Sequence, residues 1–151
     1  MSGDFLQGDG FVLVPSDDRE YLSHLMRTHP LNLMNDRGIA RYVKFVRHLW
    51  IGEAKGFVIG GVLYLCFIPG IGWTFDAYSE REKLKELDNK GRWAYKAGVL
   101  VVDWFGRNVG ETLNAFVDEE NRGTIMMAKK LGFVKQENKN GMVILRKEFR
   151  S

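Results

Sequence analysis

The sequence has little cysteine, no long apolar run and no concentrated block of charge, and each shortage removes a class of protein. Its one cysteine, Cys66, sits inside the apolar run Val62–Ile68. A lone thiol closes no internal disulfide, which suits a reducing compartment. Its apolar setting reads as a buried core thiol rather than a nucleophile. No apolar stretch approaches the ~18 residues that a membrane-spanning helix needs. Residues 1–9 lack the basic-then-apolar pattern of a signal peptide. No run of Lys and Arg is long enough to form a nucleic-acid-binding arm, which argues against a nucleic-acid partner. His24, His29 and His48 are scattered, so no metal site is expected. Ser/His/Asp constellations, Cys pairs and the Gly-rich loop of nucleotide hydrolases are missing too. These exclusions lead to the expectation of a soluble, cytoplasmic protein with no membrane partner.

What is present suits one globular unit. The chain has 151 residues, 45% of them hydrophobic and 27% charged, enough apolar material to build a core against the entropy of ordering. The net charge of +3 is mildly basic, which suits a phosphate-bearing cofactor or an acidic partner face.

Residues 1–10, with glycines and aspartates, are expected as a mobile lead-in to a single domain over 11–151. Phe11–Val14, ended by Pro15, reads as a strand. Ser16, Asp17 and Asp18 can cap a helix in which Tyr21, Leu22, Leu25 and Met26 recur at helical spacing, and His29–Pro30 stops it. Asn35–Asp36 can cap a second helix, whose apolar face would carry Ile39, Tyr42, Val43, Val46, Leu49 and Trp50. Ile51–Ala54, Phe57–Ile68 and Ile71–Tyr78 read as an antiparallel meander, with Gly60–Gly61 allowing a bulge. Ser79–Asn89 is too charged for the core. Trp93–Phe105 predicts a buried helix, and Thr112–Val117 a strand. Asn121–Leu131 reads as a helix closed by Gly132, and Phe133–Gln136 and Met142–Phe149 as a final hairpin. The order β-α-α-β-β-β-α-β-α-β-β predicts an α/β fold, an open mixed sheet with helices on both faces.

The most specific stretch runs from Val117 through Asn121 and Ile125 to Leu131-Gly132-Phe133. A strand ends in Val, Asn follows four residues on, and a helix closes in Leu-Gly-Phe. With the element order, this stretch resembles the GNAT N-acyltransferase superfamily. The resemblance implies acetyl-CoA or another acyl-CoA as cofactor and an amine of a protein or small molecule as acceptor. It implies that the acyl-pantetheine arm lies in a gap between two splayed strands. The segment Asn89-Lys90-Gly91-Arg92-Trp93-Ala94 corresponds to the family's pyrophosphate loop. There Gly91 would let backbone N–H groups approach phosphate, Lys90 and Arg92 would add charge-assisted contacts, and the helix N-terminus would add its dipole. Asn121 falls on the cofactor side as well. The segment departs from the family pattern: only Gly91 and Ala94 are small, their spacing is off by one, and Trp93 is bulky.

Acyl transfer to an amine needs a group that takes the amine's proton. Asp76 and Glu80 are the candidates, at the end of the strand that lines the family's cleft. Alternation puts Thr74, Asp76 and Tyr78 on one face and Trp73, Phe75 and Ala77 on the other. Tyr78 can position substrate or donate a proton. Many family members carry a Tyr on the last helix, seven residues after the Asn, that protonates the leaving thiolate; this chain has Ala128 there. A thiolate leaves without help more readily than most groups, since its pKa is about 8.5. The chain is also similar to the divergent phage-encoded GNAT-like group, which includes head-assembly and virion-associated proteins. That similarity implies the alternative of a non-catalytic interaction protein whose partner is a phage capsid or scaffold protein.

Overall fold

The computed structural model describes residues 3–29, 34–80 and 92–149. Strands β1 (Leu6–Gln7) and β2 (Val12–Pro15) come first, then helices α1 (Arg19–Thr28) and α2 (Asp36–Tyr42) and a 3-10 turn at Val43–Phe45. Strands β3 (Val46–Ala54), β4 (Phe57–Ile68) and β5 (Gly72–Ser79) form the meander. Helix α3 (Arg92–Asn108), strand β6 (Leu113–Asp118), helix α4 (Arg122–Lys130), and strands β7 (Val134–Lys139) and β8 (Met142–Lys147) complete the chain. The sheet order is β1-β2-β3-β4-β5-β6-β8-β7, antiparallel throughout except for the parallel pair β5–β6.

Alternation along β4 divides the core in two. Leu63 and Leu65 join Trp50, Trp93, Ala97, Val101 and Phe105 under α3. Val62, Tyr64 and Cys66 join Leu22, Leu25, Met26 and Ile39 under α1 and α2. A strand buried on both faces reads as a continuous apolar run, which is what Phe57–Ile68 is. Each fully buried aliphatic side chain contributes roughly 1.5–3 kcal/mol before the entropy of ordering is counted.

Local chemistry sets the ends. Asp18 accepts from the Tyr21 N–H at 3.0 Å and caps α1. Asn35 caps α2 through the Gly38 N–H at 2.8 Å. Asn140 and Gly141, with φ of 54° and 80°, make the tight turn of the β7–β8 hairpin, the left-handed conformation that this two-residue turn demands.

Two expectations are corrected. The lead-in over 1–10 contains β1, whose Leu6 is buried against the α3-side core. Trp50 Nε1 donates to the Asp4 backbone carbonyl at 2.8 Å, and Trp104 Nε1 to the Asp4 carboxylate at 2.7 Å, so the segment is held by two indoles. The second helix ends at Tyr42, and Val46–Trp50 is strand. Val46, Leu49 and Ile51 share the α1/α2 face, spaced three and then two, because the β3–β4 register slips between Val46 and His48. That bulge inserts one residue into the alternation and imitates helical spacing.

Candidate active site

Strands β5 and β6 make a fork. They are in register at Trp73–Leu113 and Thr74–Asn114. Beyond these rungs, Phe75–Ser79 remains paired to β4, Ala115–Asp118 remains paired to β8, and no rung joins the two among the described residues. Asn114 sits buried at the crotch. Its Nδ2 donates to the Trp73 carbonyl at 3.0 Å, and its Oδ1 accepts from Arg146 Nε at 3.0 Å, so one amide ties β5, β6 and β8 together. Sequence reasoning passed over Asn114; its one signal is a polar residue inside the apolar run Leu113–Val117.

The facing edges of the fork present main-chain N–H and C=O groups that require partners. An extended, amide-bearing chain laid between them can pair with a strand edge as an added strand does. The pantetheine arm of an acyl-CoA has that chemistry, so the fork fits it.

Helix α3 starts over β3 and β4, with Arg92 exposed in its first turn and Ala94 half-buried. Asn89, Lys90 and Gly91 lie outside the described residues. Trp93 is buried, and its indole lies over β3 and β4. A Cβ at Gly52 would fall within 2.5 Å of its Cζ2, and one at Gly61 within 2.3 Å of its Cη2. These two glycines make the room that the ring occupies, and Phe11 packs edge-on to it at 5.9 Å. The bulky residue of the loop segment is thus turned toward β3 and β4, on the far side of β5 from the fork.

Asp76 lies two residues past the last β5–β6 rung, on the α1/α2 face with Thr74 and Tyr78, as alternation predicted. Tyr64 is directly across the ladder from it, and Tyr42 Oη lies 3.2 Å from Tyr64 Oη. The Tyr78 ring stacks on Tyr64 at 6.3 Å, and His29 packs edge-on against Tyr78 at 5.3 Å. Burial among these rings pushes the Asp76 carboxyl up from 3.8 to about 7, against hydrogen bonds from the Ala77 N–H and the Tyr64 hydroxyl that favour its charged form. The residue as a whole is partly exposed, while its carboxyl is enclosed by protein. Burial also pushes up the hydroxyls of Tyr42, Tyr64 and Tyr78, with the Asp76 charge adding to it, so all three stay protonated donors.

Glu80 follows β5, with its N–H bonded to the Gly60 carbonyl at 2.6 Å, inside the bulge of β4. Its carboxylate accepts from the Tyr21 hydroxyl at 2.6 Å. Burial, then that carboxylate, pushes the Tyr21 hydroxyl up. Thus α1, α2, β4 and β5 bring four of the chain's five tyrosines around two carboxylates.

Asn121 caps α4, accepting from the Thr124 N–H at 3.3 Å, and Asp118 accepts from the Glu120 N–H at 2.9 Å in the same turn. Ala128 is buried in the α3-side core, its methyl group packed inward.

No helix among the described residues is long and apolar enough to cross a membrane. No family model matches the chain. None of the curated proteins matches it. Solved structures do. An acetyltransferase from Agrobacterium tumefaciens superposes with a TM-score of 0.70 at 17% identity, covering 98% of this chain and 96% of that one. A GNAT-family acetyltransferase from Bacillus anthracis superposes with a TM-score of 0.63 at 9% identity, covering 97% and 99%. A ribosomal-protein alpha-N-acetyltransferase solved with coenzyme A gives 0.62 at 11% identity, covering 96% and 98%. The forked mixed sheet with helices on both faces is the GNAT acetyltransferase fold.

Proposed function

We propose that this chain is an acyl-CoA-dependent N-acetyltransferase in which Asp76 takes the proton from the acceptor amine. The observation that carries the reading is the parting of β5 and β6 beyond Thr74 and Asn114, with a carboxyl titrating near neutrality beside the opening. The facing edges of Phe75–Ser79 and Ala115–Asp118 hold the pantetheine arm. The first turn of α3, with Arg92 and Ala94, and the preceding Asn89, Lys90 and Gly91 hold the pyrophosphate through main-chain N–H groups and positive charge. Asn121 shapes the turn at the end of β6 on the cofactor side. Acetyl-CoA, when bound, supplies an acetyl group activated as a thioester.

The chain's own residues manage the proton. At pH 7 an alkylamine arrives as an ammonium ion, which the carboxylates Asp76 and Glu80 and the electron-rich faces of the tyrosines attract. Asp76 in its ionised form accepts one proton from that ammonium and becomes a neutral acid, leaving the amine lone pair free. A carboxyl poised near the working pH does this better than one held near 4, which would be too weak a base. Tyr78, protonated throughout, positions the acceptor and supplies a hydroxyl donor in place of the one that Ala128 lacks.

Two measurements test this. Acetyl-CoA at a hundredfold excess over its Kd is expected to stabilise the fold by about 2.7 kcal/mol, roughly 5–10 °C in Tm; an unchanged Tm at saturating acetyl-CoA counts against the cofactor. Acetylation is then assayed on a panel that includes spermidine and ribosomal-protein N-termini, the acceptors of enzymes with this fold, spermidine N-acetyltransferase and ribosomal-protein-S5-alanine acetyltransferase among them. A second reading, an interaction protein that kept the fold without turnover, draws on Ala128 and extends to the phage head-assembly role that the sequence resembles. It predicts copurification with a capsid or scaffold partner and no acetylated product on any amine.

A further inference from the structure

Asp76 is embedded in groups from several elements. Tyr64 and Cys66 face it from β4, Tyr42 from α2 and Tyr78 from its own strand; His29, at the end of α1, packs behind Tyr78. Arg47 of β3 acts on Cys66 behind them, and Glu80 is engaged by Tyr21. The Cys66 thiol, which burial pushes up to about 11, stays neutral and adds no charge. Among these groups, Tyr64 alone faces Asp76 directly across the β4–β5 ladder, and its hydroxyl also lies within hydrogen-bonding distance of the Tyr42 hydroxyl.

The donor arithmetic gives the chain a direction. An ionised carboxylate only accepts, so in a hydrogen bond between the two Tyr64 is the donor. The Tyr64 oxygen is then left as an acceptor, and Tyr42 must donate to it. When Asp76 is protonated, its own O–H can donate to the Tyr64 oxygen, and Tyr64 turns its hydrogen to Tyr42. Both hydroxyls can therefore reverse together, and each arrangement keeps Asp76 and Tyr64 paired. Tyr64 is fully buried in the α1/α2-side core, so its ring has no freedom to leave, while Tyr42 closes the chain from the partly exposed side.

We propose that Tyr64, braced by Tyr42, is the positioning residue for Asp76: the hydroxyl pair fixes the orientation of the carboxyl in the cleft and holds its charged form ready. This rests on the reading of Asp76 as the proton acceptor, but the interaction itself can be read without turnover. The experiment is a carboxyl carbon NMR titration of Asp76 in the unliganded chain, for wild type, Tyr64→Phe and Tyr42→Phe. Each variant keeps its ring, and Tyr42→Phe alters a partly exposed site if Tyr64→Phe fails to fold. Loss of the Tyr64 hydroxyl is expected to move the midpoint upward by about one to two units, the equivalent of one hydrogen bond to a charged group. Tyr42→Phe should move it the same way by less. An unmoved midpoint in Tyr64→Phe, or in Tyr42→Phe where Tyr64→Phe does not fold, overturns the proposal. The pH dependence of kcat/KM should move with the titration. If the NMR midpoint moves and acetyl transfer is absent from every protein, the positioning stands and the acetyltransferase reading falls.

Discussion

Asp76 brings opposing demands together in one side chain. Enclosure by Tyr42, Tyr64 and Tyr78 raises the cost of its charge, and hydrogen bonds from Ala77 and Tyr64 lower it, the net effect being a midpoint near 7. The sign of the linkage follows. The folded state holds a proton that the unfolded state releases near 3.8, so this group's contribution to stability is complete below that pH. It is lost as pH rises through about 7 and stays lost above it. Asp76→Asn removes the penalty. It is expected to be more stable than wild type at pH 8, by at least ~1 kcal/mol in a denaturant titration, with the gap closing toward pH 4. The same substitution should lower kcat/KM by about 100-fold or more at pH 7, and the wild-type rate should rise with pH through 7. The face that carries Asp76 was legible in the alternation of Trp73–Tyr78. Its surroundings were not, because Tyr42 and Tyr64 come from segments far away in sequence, and only the packing of α2 on β4 joins them.

Among the elements, the meander, α3 and the Asn121–Phe133 stretch follow from local rules: short Gly-bearing turns, an apolar helix and an Asn cap. Strand β3 did not follow from its pattern, since a bulge at Val46–His48 spaces its buried residues like a helix. A helical pattern and a bulged strand can share one apolar spacing, and only pairing with β2 and β4 decides between them. Strand β4 carries a second bulge, where Gly60 adopts φ of 83° and Gly61 lies under the Trp93 ring. Gly61→Ala places a methyl inside that ring's volume, and the strand cannot retreat without losing its rungs to β3 and β5. The substitution should cost about 1–3 kcal/mol in urea denaturation. Pairing it with Trp93→Leu should recover part of the loss, since the smaller side chain vacates the contested space.

At the scale of the whole molecule, the sheet is one body in two wings. Strands β1–β5 form one, with α1 and α2 on one face, and β6, β8 and β7 form the other, with α4. Helix α3 spans them, and the Gly98 face of α3 touches Leu131 beyond α4. Two backbone rungs and the Asn114 amide make the seam between the wings.

The seam has a kinetic consequence. Amide hydrogens on the inner margins of an open fork exchange with solvent readily, since no rung among the described residues bridges them to the opposite wing. A pantetheine chain seated there would act as a suture. Deuterium uptake across Phe75–Ser79 and Ala115–Asp118 should slow when acetyl-CoA is added, by about tenfold or more, while the turn at Asn140–Gly141 keeps its rate. Uptake that is indifferent to the cofactor would mean that the two wings close on nothing.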